Sequence, residues 1–456
     1  MKYGINLAWN DLQNDPDALA LVRQYLPALE MMIKQAPGAA RIGIRTVQSY
    51  APQMFPAEQM QALDKALKEY GKTRPLTATE TAKLEKYRAM QSARRVTTHL
   101  ERAVQYDAFH PGQVWLDTNG NPIQTHGGAV YYEDGVYYWY GENKEFTDGK
   151  NAIWTWGIRM YRSTDLYNWE DLGLIAEPDL KTPDGNLFPE KYVDRPHILH
   201  CDATGRYVMW VKISSAESCF TILQSDKLTG PYTIVTEDYC PLGSSVGDFD
   251  MVADADGKAY LYMDATPKRV AGFELAADYC SVTKEVTRQY EGLNPPFCRE
   301  GITLFAHGDK KYLITSGMTG YTPNQSDAAV SDSWDKPFVS VGDPHVDDDT
   351  MASFNSQISQ VFRVPGKNLY IAIADRWMPD YLLDGREADA VRRVVASHYD
   401  AEHYKATPEE AAAFAARPDL ERCNTNHSTY VWLPLTFRGG KPEIRWYDSW
   451  KLEDFA

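Results

Sequence analysis

Three acidic residues stand at near-equal intervals in largely apolar surroundings. They are Asp194 in Val193-Asp-Arg-Pro-His197, Asp248 in Ser245-Val-Gly-Asp-Phe-Asp250, and Glu300 in Cys298-Arg-Glu-Gly301, spaced by 54 and 52 residues. Gln357, in Phe354-Asn-Ser-Gln357, follows Glu300 by 57 residues, and Glu142 precedes Asp194 by 52. A protonated carboxyl on one side of a bond can donate to a departing oxygen. A second polar group on the other side can hold a water for attack, and the two together meet the requirement for cleaving a glycosidic link. Taken singly, each carboxylate reads first as a surface charge or a structural ion pair. The regular spacing is what argues for one shared cleft.

Elements that repeat at this interval must position the series. Five copies of one phrase recur: Gly135-Val-Tyr-Tyr-Trp-Tyr-Gly-Glu142, Gly205 to Lys212, Gly257 to Asp264, Gly308 to Gly317, and Gly366 to Asp375. Each reads as a turn glycine feeding an aromatic strand near the centre of a small sheet. A second phrase follows at Ser163-Thr-Asp-Leu-Tyr-Asn-Trp169, Ser225 to Pro231 and Ser331 to Pro337, with one copy decayed near residue 280. One small sheet cannot bury both its faces, so strand repeats of this size imply radial stacking. The expected fold is all-β, a five-bladed β-propeller over residues 111–456 with an irregular all-β domain as the alternative. The segment from Glu443 to Trp450 is expected to close the ring against His126 to Val130. An insertion near 380–423 carries a capped helix at Thr407-Pro-Glu-Glu410 and is expected to stand over one end of the propeller.

Residues 1–110 read as a helical segment of three or four helices. Asp17 to Lys34 has helical spacing and stops at Pro37-Gly38. Pro56 opens a second run with Met60, Leu63 and Leu67 on one face and Gly71 at its end. A third starts at Thr77 with Glu80 in capping-box position and continues through Leu84, Tyr87, Met90, Val96, Leu100 and Val104. This segment is expected to be an appendage packed on the larger domain, bordering its cleft or mediating a homo-oligomer; an independent bundle is the other reading.

The formal net charge of −16 disfavours nucleic acid and anionic membrane surfaces as partners. Six dispersed cysteines, Cys201, Cys219, Cys240, Cys280, Cys298 and Cys423, form no metal-type pair and read as mostly buried free thiols. The first residues lack the apolar run of a signal peptide, so the expected location is the cytoplasm, although trimming of a leader would leave the same sequence. Gly127-Gly128 and Gly439-Gly440 lack the context of a phosphate-binding loop, and no serine sits in a nucleophile elbow.

The set of motifs resembles glycoside hydrolase family 43, in the branch that includes exo-β-1,3-galactanases. The residues that carry the resemblance are His126-Gly-Gly128, Tyr137 to Glu142, Val193 to Pro196, Asp248 to Gly257, Arg299-Glu300, Ile314 to Gly320 with Pro323-Asn324, Phe354 to Gln357, Asp375-Arg-Trp377 and Tyr430 to Pro434. The resemblance implies that Glu300 is the general acid and that Asp248 orients it and adjusts its pKa. It implies that Gln357 holds the nucleophilic water, by an unusual tautomer or by positioning, for inversion across a gap of roughly 6.5–9.5 Å. Asp194 stands where the branch has glutamate, one methylene longer, and would bind sugar hydroxyls. Gly301-Ile302 replaces a small residue and proline, and Val246-Gly247 precedes Asp248 where arginine is common.

Glu142, Trp139, Tyr321, Trp377 and Tyr430 join the candidate substrate-binding residues, with Trp154 and Trp156 as further rings able to stack on a pyranose. Arg195, Arg299 and Arg376 are expected to fix motif acids by ion pairs. No cofactor is required by this chemistry; His126 is a candidate for an axial calcium or sodium ion or water, with a buried structural hydrogen bond as the competing role. The expected activity is inverting, exo-acting hydrolysis of β-1,3-linked galactan, in polysaccharide degradation. α-L-Arabinofuranosidase or β-xylosidase activity and a non-catalytic carbohydrate-binding propeller are the alternatives.

Overall fold

The computed structural model describes residues 3–92, 105–215, 218–266, 268–417 and 424–455. The chain divides into two compact units. The first holds the N-terminal helices together with Pro178–Tyr192 and Ile213–Cys219; the second holds the rest of the chain.

In the first unit the helices are α1 (Trp9–Leu12), α2 (Pro16–Tyr25), α3 (Pro27–Gln35), α4 (Ile44–Tyr50), α5 (Ala57–Thr73) and α6 (Ala78–Ser92). The run expected from Asp17 to Lys34 is broken in two because Pro27 cannot donate to the preceding turn, and Leu26 leaves the helical region there. Met60, Leu63 and Leu67 are buried as the spacing predicts. Gly71 does not end α5, which continues to Thr73. Its role is close approach, since a Cβ there would stand 2.9 Å from Tyr3 Cβ. The Thr77–Glu80 capping box forms in both directions, at 3.2 and 2.8 Å. Val96, Leu100 and Val104 lie outside the described residues. Tyr87 and Lys83 on α6 both bond Glu190, at 2.7 Å each.

The strands form a five-bladed propeller in which each blade is a four-stranded sheet. Blade 1 is β1 (His126–Glu133), β2 (Val136–Glu142), β3 (Ile158–Ser163) and β4 (Glu170–Ala176); blade 2 is β5 (Tyr192–Cys201), β6 (Arg206–Ser214), β7 (Cys219–Ser225) and β8 (Thr233–Tyr239). Blade 3 is β9 (Val246–Ala253), β10 (Ala259–Ala265), β11 (Arg269–Leu275) and β12 (Val282–Gln289). Blade 4 is β13 (Arg299–His307), β14 (Lys310–Gly317), β15 (Ser326–Ser331) and β16 (Val339–Gly342), and blade 5 is β17 (Gln357–Arg363), β18 (Tyr370–Arg376), β19 (Thr429–Arg438) and β20 (Lys441–Ile444). The repeated glycine phrase is the second strand of every blade. The serine phrase ends the third strand, and its missing copy falls at the turn after β11.

Ring closure differs from the expected strand exchange. His126 to Val130 pair with β2 and Lys441–Ile444 pairs with β19, so the first and last blades are each complete from consecutive strands. Closure comes from the innermost strands: Gln360 on β17 receives the Val130 N–H at 2.7 Å and donates to the Val130 carbonyl at 3.2 Å, and Ser359 Oγ donates to the Gly128 carbonyl at 2.7 Å. Phe109 bridges to Trp450 and stacks on it, within an aromatic cluster that includes Trp139, Trp169 and Trp432.

Between β18 and β19 the chain forms α7 (Gly385–Tyr399) and α8 (Pro408–Ala415), the latter with the expected Thr407–Glu410 capping box. Asn355, two residues before β17, exchanges hydrogen bonds with the backbone of Leu383, at 2.7 and 3.1 Å. This fastens the start of the insertion to the entry of β17. Cys201, Cys219, Cys240, Cys280 and Cys298 are free thiols; Cys423 lies outside the described residues. Among the described residues no helix is long and apolar enough to cross a membrane.

Candidate active site

Propeller geometry explains the one-blade spacing. His126, Glu300 and Gln357 stand at or one residue from the start of the innermost strands β1, β13 and β17, while Asp194 and Asp248 are third in β5 and β9. All five therefore gather at one end of the inner strands. The last residues of the neighbouring second strands lie beside them, with His126 paired to Glu142, Glu300 to Ser316 and Gln357 to Asp375. Lys212 and Asp264 hold the equivalent places in blades 2 and 3. Lys212, Asp264 and Ser316 were not singled out from the sequence. The signal for them was the polar end of each copy of the glycine phrase.

Asp248 lies at the centre of this layer. Its Oδ1 accepts from Lys212 Nζ at 2.8 Å; its Oδ2 accepts from Gly301 N at 3.1 Å and faces Arg195 Nε at 3.2 Å. Burial would raise its pKa, but the two cations and the hydrogen bonds outweigh burial and hold the carboxyl well below the usual carboxylate range. Glu300 shifts the other way, to about 8. Burial is the main cause, followed by the negative charges of Asp248 and Asp264, with Lys212 and Arg195 opposing. The two carboxyls are thus pushed in opposite directions, the ionised form favoured at Asp248 and the protonated form at Glu300, the division of labour that acid catalysis requires.

Gln357 has a fixed amide. Its Oε1 accepts from Arg195 Nη2 at 2.7 Å and its Nε2 donates to Ser316 Oγ at 2.9 Å. Gly301 explains why this fits, because a Cβ there would stand 2.7 Å from Ser316 Oγ and 3.1 Å from Gln357 Cγ. Gly247 plays the same part beneath Asp248, since a Cβ would come within 2.4 Å of Asp264 Oδ2. The two departures from the expected neighbouring residues are therefore packed into this site.

Asp194 Oδ1 accepts from Trp154 Nε1 at 2.8 Å, and its Oδ2 lies 3.5 Å from Lys212 Nζ. Glu142 is buried, with Oε1 receiving the Arg195 N–H at 2.9 Å and Oε2 2.7 Å from Lys144 Nζ. Burial pushes its pKa up to about 7 against the pull of Lys144. Trp154, Tyr321 and Trp377 form a chain of rings, with centroids 5.7 and 5.5 Å apart, and Tyr321 and Trp377 are partly exposed.

Several candidates are taken up in packing and hydrogen bonds. Trp139 is 1% exposed inside the aromatic cluster of blade 1, because alternate residues of β2 face the packed side, and Trp156 is buried against Phe146. Neither ring offers a face to a ligand. Tyr430 is also buried; its hydroxyl donates to the Ile123 carbonyl at 3.0 Å and accepts from Thr125 N at 2.9 Å, and its ring stacks on His126. The ring nitrogens of His126 face Asp375 Oδ1 at 3.1 Å and Gln124 Oε1 at 3.3 Å. Among the described residues no group of three or more His, Cys, Asp or Glu side chains is arranged to hold a metal ion.

Of the three arginines, only Arg195 pairs with a motif acid, and its partner is Asp248 in the next blade. Arg299 turns away from Glu300 to bond Thr315 and the Gln325 carbonyl. Arg376 bonds the Phe354 carbonyl and lies over Trp446.

A five-bladed propeller that brings two carboxyls with oppositely shifted proton affinities to one end of its inner strands has the form of a glycoside hydrolase. Residues 120–388 match the model of glycosyl hydrolases family 43, and the chain belongs to that family. Among solved structures it is similar to a GH43 β-1,3-galactosidase, with 28% identity and a TM-score of 0.60 over 77% of this chain. The matched region spans 65% of that relative's length. The exo-β-1,3-galactanase of Phanerochaete chrysosporium, solved with β-1,3-galactotriose, shares the fold at 23% identity and a TM-score of 0.59, over 76% of this chain and 68% of that one. That of Clostridium thermocellum does so at 24% and 0.56, over 75% and 66%. No curated protein matches the chain.

Proposed function

We propose that this protein is an inverting, exo-acting glycoside hydrolase that releases galactose from β-1,3-linked galactan or related oligosaccharides. The observation that carries the reading is the pair Glu300 and Asp248, one carboxyl raised to about 8 beside another held ionised. Glu300 donates its proton to the departing glycosidic oxygen. Asp248 keeps that proton in place through its charge, and its bond to Gly301 N sets the backbone on which Glu300 stands. Gln357, fixed at both ends of its amide, orients the water that attacks the anomeric carbon. Asp194 binds sugar hydroxyls while Trp154 and Lys212 hold its carboxylate, and Tyr321 and Trp377 supply an apolar surface for the ring face. The names of the similar solved proteins favour galactose and the β-1,3 link.

A second reading, an α-L-arabinofuranosidase or β-xylosidase, is favoured by Asp194 itself, whose shorter side chain alters the fit to hydroxyls. Sugar release from β-1,3-galactan, β-1,3-galactobiose and aryl galactosides, arabinosides and xylosides, with the anomer followed by NMR, decides between them. Galactose appearing first as the inverted anomer supports the proposal; arabinose or xylose moves the specificity. Retained configuration, or binding of these sugars without turnover, overturns the mechanism.

A further inference from the structure

Arg195 is 4% exposed and adopts a left-handed backbone conformation, φ +50°, which an L-residue with a long side chain takes only where its surroundings enforce it. Its N–H bonds Glu142, so the strained peptide is held from the neighbouring blade. Its guanidinium presents one edge to two groups that lie far apart in sequence: Nε faces Asp248 Oδ2 at 3.2 Å, and Nη2 donates to Gln357 Oε1 at 2.7 Å. From there the contacts form a closed circuit. Gln357 bonds Ser316, Ser316 is the strand partner of Glu300, and Gly301, directly after Glu300, donates back to Asp248.

From this circuit we infer that Arg195 is a positioning residue that ties the proton-donating and water-holding halves of the site together through a single guanidinium. The inference rests on the proposed hydrolase function. A planar fork with fixed donor directions can hold two acceptors in one relative geometry; a lysine ammonium, a single point of charge on a flexible stem, cannot. The contact also bears on what Gln357 does. A cationic donor on Oε1 stabilises the carbonyl form of the amide over the imidic-acid tautomer, which would carry a proton on that oxygen. Gln357 then orients the water rather than removing its proton through an unusual tautomer, and that proton passes to solvent as the bond to the anomeric carbon forms. Among the described residues the remaining guanidinium nitrogen, Nη1, has no hydrogen-bond partner.

The test is a double-mutant cycle on β-1,3-galactobiose with Arg195→Lys, Gln357→Ala and the pair. Because displacement of a reacting group by about 1 Å costs on the order of 100-fold, Arg195→Lys is expected to lower kcat about 100-fold and change KM by less than about threefold. In the Gln357→Ala background Arg195→Lys should cost at most about tenfold, well short of its cost in the wild type, because only its hold on Asp248 remains to be lost. Additive losses, or an unchanged kcat in Arg195→Lys, overturn the inference. Ser316→Ala removes the other anchor of the amide and leaves Arg195 in place, so it serves if the arginine variant does not fold. A loss below about fivefold is expected, and a loss equal to that of Gln357→Ala overturns the inference. If the wild type cleaves no substrate of the panel, the proposed function fails, and a crystal structure of Arg195→Lys (or, if it does not fold, of Ser316→Ala) decides the positioning separately. An amide of Gln357 rotated in Arg195→Lys, or unmoved in Ser316→Ala, supports it; the converse in either variant overturns it.

Discussion

The backbone N–H of Gly301 donates to Asp248 Oδ2 at 3.1 Å, so the carboxylate of blade 3 holds the residue that follows Glu300 in blade 4. The same contact fixes the peptide under the proposed acid and brings a negative charge against it. Geometry and proton affinity are therefore set by one side chain, and both respond to the same substitutions.

Glu300→Gln removes the donor and preserves the shape. Loss of a general acid costs about 10²–10⁴-fold, and kcat on β-1,3-galactobiose should fall within that range. Aryl galactosides with acidic phenols, which leave without protonation, should lose much less. The active form carries the proton, so the wild-type rate should decline as pH rises through about 8, and this limb should be absent in the variant. A pH–rate profile of both proteins checks it.

Asp248→Asn takes away a negative charge that raises the pKa of Glu300, and it leaves Lys212 and Arg195 unopposed beside it. Both effects favour ionised Glu300. The alkaline limb of kcat/KM should move to lower pH, with a rate loss of about 100-fold at neutral pH. A limb that stays in place or moves upward contradicts the assigned role.

The raised pKa of Glu300 also predicts a change in stability. The folded state binds the proton more tightly than the unfolded chain, whose value is near 4.5. This contribution is fully present below about 4.5 and is lost as pH rises through about 8. Glu300→Gln removes that dependence. The melting temperature of the variant relative to wild type should rise between pH 5 and pH 8, at roughly 1–2 °C for each kcal/mol in a domain of this size. Calorimetry across that range tests it, and a constant difference counts against the shift.

The aromatic residues should separate into two groups. Trp377→Ala or Tyr321→Ala should raise KM up to about tenfold at nearly unchanged melting temperature, since an aromatic contact contributes about 0.5–1.5 kcal/mol. Trp139→Ala should destabilise the propeller by about 3–5 kcal/mol, because it empties the centre of a packed cluster. Denaturant unfolding and steady-state kinetics on the three variants distinguish the groups.

Asp194→Glu should test specificity directly. Restoring one methylene advances the carboxylate towards the sugar, and the ratio of kcat/KM for galactosides over pentosides should rise about tenfold, the scale of one methylene in a binding site. An unchanged ratio places specificity elsewhere.

Much of this site was legible in the sequence because a propeller converts a linear period into a spatial layer. Residues one blade apart on equivalent strands must meet at one end of the ring, which is why Asp194, Asp248, Glu300 and Gln357 converge. The same logic reaches Lys212, Asp264 and Ser316 once the end of each second strand is read as part of that layer. The capping residues Thr77 and Thr407 also acted as written, because their bonds join positions three residues apart.

What the sequence could not determine are the contacts that exist only after the ring has closed. Strand alternation says that Trp139 and Tyr430 face one side of their sheets, but only the packing of blade 5 against blade 1 turns that side into core. Arg195 lies beside Asp194 in the chain and yet pairs with Asp248 and Gln357, because its backbone conformation and the curvature of the inner strands aim the guanidinium across the axis. Local spacing determined which residues reach the site. The tertiary structure decided what each one touches there, because hydrogen bonds and charges act over a few ångströms and not along the chain.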